Sequence, residues 1–103
     1  MGILRDKTID TTKAKPSDKL IKNITGSTMS IQIDGDIQLS MKGSHANFDT
    51  NKSYDIALIN MSSLDKMTVT TGSGLYLVVV EGIDRVELSF SGNGIIHWKE
   101  LGD

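Results

Sequence analysis

The chain has 103 residues, of which 38% are hydrophobic and 23% charged. This length and composition predict one small domain, and the chain is too short for a second. Ordering such a chain costs on the order of 150 kcal/mol in conformational entropy, at about 1.5 kcal/mol per residue, so the core needs most of the apolar residues. Zero cysteines exclude disulfides and thiolate chemistry, and two histidines are too few for an all-histidine catalytic metal site. We therefore expect no enzyme and no cofactor.

The N-terminal region, residues 1–27, is predicted to be an arm with its own character. Its first 22 residues hold six basic and three acidic side chains, a net charge of +3, whereas the rest of the chain is −5. Thr8 to Lys15 shows no apolar period of two or 3.6 residues, which predicts an extended or partly disordered segment. Pro16 or Ser17 could begin one short helix, although the apolar residues after them fit a strand equally well.

Residues 28–103 are predicted to be the folded domain, because a period of two begins near Thr28. The pattern is interrupted at Asp34-Gly35-Asp36 and then resumes. We interpret it as a hairpin with a three-residue loop, since that loop places Ile33 opposite Ile37 on one face. The alternating apolar residues are Met29, Ile31, Ile33, Ile37, Leu39 and Met41.

Further strand-like segments follow at 54–58, 67–71, 75–80, 86–90 and 95–98. The segment Leu75 to Val80 is apolar at every position, which predicts cover on both of its faces. A second hairpin is predicted at residues 92–94, with Ile96 and Trp98 inward and His97 outward. About seven short strands separated by glycine-rich turns predict an antiparallel β-sandwich or jelly-roll-like fold.

One loop has the spacing of a calcium site, with oxygen-bearing side chains at alternate positions. These are Asp49, Asn51, Ser53 and Asp55. Tyr54 stands where an EF-hand loop needs glycine, and Asn60 stands where it needs a bidentate glutamate. A polar loop that enters a strand is therefore the favoured interpretation, and calcium is the weaker alternative.

Catalysis and nucleic-acid binding have little support in the sequence. No Gly-x-Ser-x-Gly motif is present, and His45 and His97 fit a polar loop and an outer strand face. The predicted domain is acidic and the arm has no aromatic residue to stack on a base, so nucleic acid is not expected as a partner.

Sugar binding would require exposed aromatic rings. The alternation assigns Phe90 and Trp98 to the core and Tyr54 to an apolar face, which leaves Phe48 and Tyr76 as candidate exposed rings. Core filling with one surface ring is the favoured interpretation, and a sugar ligand stays open as the alternative.

The opposite charges of the arm and the domain favour assembly. The arm has apolar residues with which to dock on a neighbouring copy, or to add a strand to its sheet edge. These residues are Ile3, Leu4, Ile9, Leu20, Ile21 and Ile24. We predict a homo-oligomer, either a trimer or a higher ring, or one subunit of a larger shell.

Residues 53–98 contain a Gly-x-Tyr opening at Gly74-Leu75-Tyr76, an apolar strand to Val80, a turn at Gly82, Arg85-Val86 and a glycine-rich segment from Ser91 to Ile95. In this order they resemble small β-sandwich accessory proteins of bacteriophage tails, baseplates and capsids. The resemblance implies a non-enzymatic virion component that contacts itself and other particle proteins, and it assigns no site residue.

Two other functions remain open, a carbohydrate- or receptor-binding module and a small phage-encoded regulator of a host protein. No apolar run reaches the ~18 residues of a membrane span, and no signal peptide is recognisable. The expected location is therefore the virion for a phage protein and the cytoplasm otherwise, with no membrane partner.

Overall fold

A computed structural model describes residues 2–46 and 52–102. These residues form antiparallel strands and one short 3₁₀ helix, Pro16–Lys19, and the prediction of an all-β antiparallel fold is confirmed. The described helix is too short to cross a membrane. The strands are β1 (Gly2–Asp10), β2 (Leu20–Lys22), β3 (Thr28–Ser44), β4 (Tyr54–Asp55), β5 (Leu58–Asn60), β6 (Lys66–Met67), β7 (Gly74–Val79) and β8 (Arg85–Gly102).

Strands β3 and β8 form the centre of the fold. They have 17 and 18 residues and pair antiparallel along all of β3, from Thr28 opposite Leu101 to Ser44 opposite Arg85. The sheet order is β1-β8-β3-β7-β5-β6, with β2 paired to the first part of β8 and β4 to the last part of β3. Both predicted hairpins are therefore wrong, because each lies inside one continuous strand.

The glycines that suggested turns lie together in the middle of this long pair. Gly35 is opposite Gly94, and both have positive φ angles, 129° and 158°. A Cβ atom on Gly92, whose φ is 99°, would lie 2.0 Å from the carbonyl oxygen of Asp36. Glycine allows this backbone conformation and this close approach because it has no Cβ atom. Within a strand, such a glycine marks a bend of the strand and not a chain-reversing turn.

The core lies on one face of the bent pair. In β3 the buried residues are the odd-numbered ones on both sides of the glycine, and in β8 they are the even-numbered ones. The same face therefore turns inward along the whole pair, as expected when a sheet wraps around its own core. The buried apolar residues are Ile9, Ile21, Ile24, Met29, Ile31, Ile33, Ile37, Leu39, Met41, Leu58, Tyr76, Val78, Val80, Val86, Leu88, Ile96 and Trp98.

The region predicted to be an arm is part of the sheet. β1 pairs with the end of β8, and β2 pairs with its beginning. Ile9, Ile21 and Ile24 are buried in the chain's own core. The strand pattern of β1 is hidden in the sequence because two inward-facing positions carry Arg5 and Lys7, which lie opposite Glu100 and Trp98 of β8.

Candidate functional site

An apolar stripe lies on the outer face of β7 and β5. Leu75, Leu77 and Val79 occupy the outward positions of β7, because the residues between them are buried. Leu75 is 45% exposed and Val79 is 55% exposed. Ile59 of β5 lies opposite Leu77, and the amide of Met61 donates to the carbonyl oxygen of Leu75 at 2.9 Å. These five residues are called the β7 stripe below.

The prediction that Leu75 to Val80 is covered on both faces fails within the described part of the chain. Tyr76, Val78 and Val80 face the core, whereas the outward residues Leu75 and Val79 stay largely accessible to solvent. Contiguous exposed apolar surface of this kind is typical of sites that contact another molecule. The sequence signal for this site was the absence of alternation in an otherwise alternating protein.

Uncharged side chains extend the stripe across the neighbouring strand. Thr28, Ser30 and Gln32 lie opposite Val79, Leu77 and Leu75 in the paired register of β3 and β7. These three residues and the β7 stripe lie on or next to three adjacent strands, and none of them is charged. The centre of this surface is therefore suited to a dry protein contact, because interface centres are depleted of charge.

Charged residues frame this uncharged surface. Glu81 follows β7 beyond Val79, and Asp34 stands at the opposite end, where its carboxylate accepts a hydrogen bond from Gln32 at 3.1 Å. Lys66 lies opposite Ile59 on one side, and Lys99 lies opposite Ser30 on the other. The acidic residues thus lie at the strand ends, and the basic residues lie at the sides. Outside the frame, Asp6 of β1 lies opposite Lys99, and Asp65 directly precedes Lys66.

A buried carboxylate joins β1, β8 and the turn before β3. Glu100 is fully buried, and its Oε1 accepts a hydrogen bond from Arg5 Nε at 2.8 Å and another from Arg5 Nη2. The amides of Thr25 and Gly26 donate to Oε2 at 3.1 and 2.9 Å. Burial raises the pKa of Glu100, but the hydrogen bonds from Arg5, Thr25 and Gly26 outweigh burial and hold the pKa below its ordinary value. With every Glu100 oxygen partnered, this cluster is a structural ion pair.

The six predicted assembly residues separate into two groups. Ile9, Ile21 and Ile24 are buried within this chain, so they cannot dock on another copy without unfolding. The other three remain exposed, and they are Ile3, Leu4 and Leu20. Ile3 and Leu4 belong to β1, which is an edge strand of the described sheet and can accept a further strand.

The predicted calcium loop is described only in part. Asp49 and Asn51 lie outside the described residues. Asp55 is exposed on β4, opposite Lys42, and Ser53 is partly exposed just before β4. Among the residues that are described, no group of three acidic, histidine or cysteine side chains is placed to hold a metal ion.

The aromatic prediction is wrong for Tyr76, and Phe48 lies outside the described residues. Tyr76 is only 2% exposed, because it occupies an inward position of β7, and its hydroxyl donates to the carbonyl oxygen of Gly72 at 3.4 Å. The ring that the sequence analysis missed is Tyr54, which is 72% exposed. Tyr54 borders a groove of about 380 Å³, together with His45, Asp55 and the apolar side chains of Ile56 and Ile83.

Comparison with known proteins adds information on the fold. No protein-family model matches the chain, and no curated protein shows significant sequence similarity to it. The crystal structure of the SPBc2 prophage-derived protein YomS is similar, with a TM-score of 0.62 over 93% of this chain and 92% of that chain. Sequence identity is 10%, so the likeness shows that the two chains share an all-β fold over nearly their whole lengths.

Proposed function

We propose that this chain is a non-enzymatic structural protein of a phage-derived particle, which acts by binding copies of itself and other particle proteins. The observation that carries the proposal is the uncovered β7 stripe, in which half-exposed apolar residues such as Leu75 and Val79 lie beside uncharged side chains of β3. A surface of this chemistry is stabilised by contact with a protein.

Two further features support this proposal. The fold is similar to that of a prophage-derived protein over nearly all of both chains. In addition, the edge strand β1 carries the exposed residues Ile3 and Leu4, and a free edge of this kind can bind a strand of a neighbouring particle protein. The predicted trimer or higher ring stays a prediction.

The proposal is tested by locating the chain in particles. Particles are purified by density gradient from a host whose phage or prophage carries this sequence with a small epitope tag. We expect the tagged chain to sediment with the particles at a constant ratio to the major particle protein. Recovery of the chain only in the free-protein fractions would contradict a structural role and favour a regulator of a host protein.

A carbohydrate- or receptor-binding module is the second candidate, because Tyr54 places an exposed ring beside the polar side chains of His45 and Asp55 in one groove. Sugars bind by stacking on such a ring while polar groups bond their hydroxyls. The test is a glycan array with the full chain and a Tyr54→Ala variant. Signals that disappear in the variant support this function, and the same signals in both chains exclude the groove as the binding site.

A further inference from the structure

We propose that a second copy of this chain covers the β7 stripe, in a two-fold dimer whose sheets pack face to face with their strands crossing at nearly a right angle. The inference rests on the proposed assembly function and names the partner at that surface. The two-fold axis lies near Leu77, the central residue of the stripe.

The uncharged centre of the surface suits contact with an identical copy. In a two-fold contact each patch meets the same patch of the partner, so a charge on the axis would meet its own kind. Leu77 has Ser30 on one side and Ile59 on the other, and none of the three carries a charge. The centre can therefore close on itself without burying an unpaired ion.

The charged frame determines the crossing angle. If the two copies packed with aligned strands, acidic ends such as Glu81 would lie over acidic ends, and basic sides such as Lys66 would lie over basic sides. A rotation of about 90° instead places the acidic ends of each copy over the basic sides of the other, and orthogonal crossing is one of the two usual geometries of sheet packing. Glu81 then lies near the partner's Lys66 or the partner's Lys99.

The required area also indicates that the contact extends to this frame. A stable interface buries about 800 Å² on each partner, which is more than a few half-exposed side chains provide. The contact therefore includes the polar row of β3, with Thr28 and Gln32, and reaches the charges around it. The apolar stripe forms the dry centre, and the ionic pairs form its rim.

The first test measures the mass of the purified full chain by light scattering over a concentration series. We expect the wild-type chain to approach twice its 11.2 kDa mass, and Leu77→Lys to shift the dissociation constant upward by about tenfold or more, because it places a cation at the axis. Tyr54→Lys is the matched control, since Tyr54 is more exposed than any stripe residue and lies in β4.

Circular dichroism checks that each variant is folded, and Val79→Lys replaces Leu77→Lys if the latter is not. A wild-type chain that stays at 11.2 kDa throughout overturns the dimer, as does a dimer that both Leu77→Lys and Val79→Lys leave intact. Neither result affects the presence of the chain in particles, so failure of the dimer is distinguishable from failure of the proposed function.

The second test addresses the crossing angle by reversing charges. Glu81→Lys alone is expected to weaken the dimer by about fivefold, as for loss of one or two exposed ion pairs. Combining it with Lys66→Glu or with Lys99→Glu should restore the wild-type constant for whichever lysine faces Glu81. If neither double variant recovers affinity, the orthogonal arrangement is wrong.

Discussion

The two faces of β7 are both apolar, but the chain buries one of them and leaves the other exposed. Val78 faces inward and is fully buried by the chain's own sheet, whereas Val79 faces outward and is 55% exposed. In the long strand β3, alternation marks one covered face and one solvated face, as in Ile31 and Gln32. A run of apolar residues at both parities, in a small alternating protein, is therefore the sequence feature on which the proposal of a partner outside the chain rests.

The largest expected effect is a loss of stability where β8 closely approaches β3. Gly92→Ala should destabilise the fold by roughly 3 kcal/mol or more, because strain at a positive φ is added to a steric clash with the backbone of β3. Gly82→Ala is the control, since Gly82 also has a positive φ but has no atom within 4 Å of an added Cβ. We expect about 1 kcal/mol there, measured by urea unfolding. Equal losses would show that the close approach of β3 and β8 does not matter.

The next prediction compares the two faces directly. Val78→Ala should cost about 2 kcal/mol at any protein concentration, because it leaves a cavity in the core. Val79→Ala should cost no more than about 0.5 kcal/mol in dilute solution, with a larger loss as the concentration rises and the outer face becomes covered. Thermal unfolding of both variants across a dilution series measures this. A concentration-independent loss in Val79→Ala would contradict the difference between the faces.

A smaller effect on stability is expected at the ion pair between Glu100 and Arg5, at the edge of the core. Glu100→Gln should cost about 1–2 kcal/mol near neutral pH, because it removes the ionic partner of Arg5. Since the pKa of Glu100 is lowered in the folded chain, its contribution is complete above the ordinary value of 4.5 and is lost as the pH falls through the folded value.

The stability gap between wild type and Glu100→Gln should therefore narrow when urea unfolding is repeated from about pH 6 to about pH 3. Glu87→Gln, on the exposed face of the same strand, is the control and should show a small gap throughout. A gap for Glu100→Gln that stays constant over this range would show that the ionised carboxylate does not stabilise the fold.

The sequence predicted the fold class and the inward positions of the long strands, because side-chain alternation reports a face regardless of how strands are connected. It did not predict the connections. The spacing from Ile33 to Ile37 keeps the same face in a hairpin with a three-residue loop and in a continuous bent strand, and glycine with positive φ serves both structures. The pairing of β3 with β8 distinguishes the two structures, with Gly35 opposite Gly94 at its middle, and these contacts are distant in sequence.

The N-terminal strand and the candidate site also depend on contacts between residues that are distant in sequence. Arg5 and Lys7 interrupt the apolar pattern on the inward face of β1. Their charged groups form ion pairs with Glu100 and Asp18 at the edge of the core. A deletion of residues 1–22 would therefore remove two strands, β1 and β2, together with the core residues Ile9 and Ile21, rather than a separate arm. The stripe was visible as an unbroken apolar run, but the charged frame around it required the register of five strands.

The most direct test of the β7 stripe as a two-fold interface is cross-linking at its centre. The chain has no cysteine, so Leu77→Cys introduces one thiol near the proposed axis. Treated with a short bismaleimide of about 10 Å reach, which matches the roughly 10 Å between packed sheets, this variant should form a covalent dimer, whereas Tyr54→Cys, which lies away from the stripe in β4, should not be cross-linked. A folded Leu77→Cys chain that is not cross-linked at a concentration where the wild-type chain is expected to be dimeric, or equal cross-linking of both variants, would contradict the account.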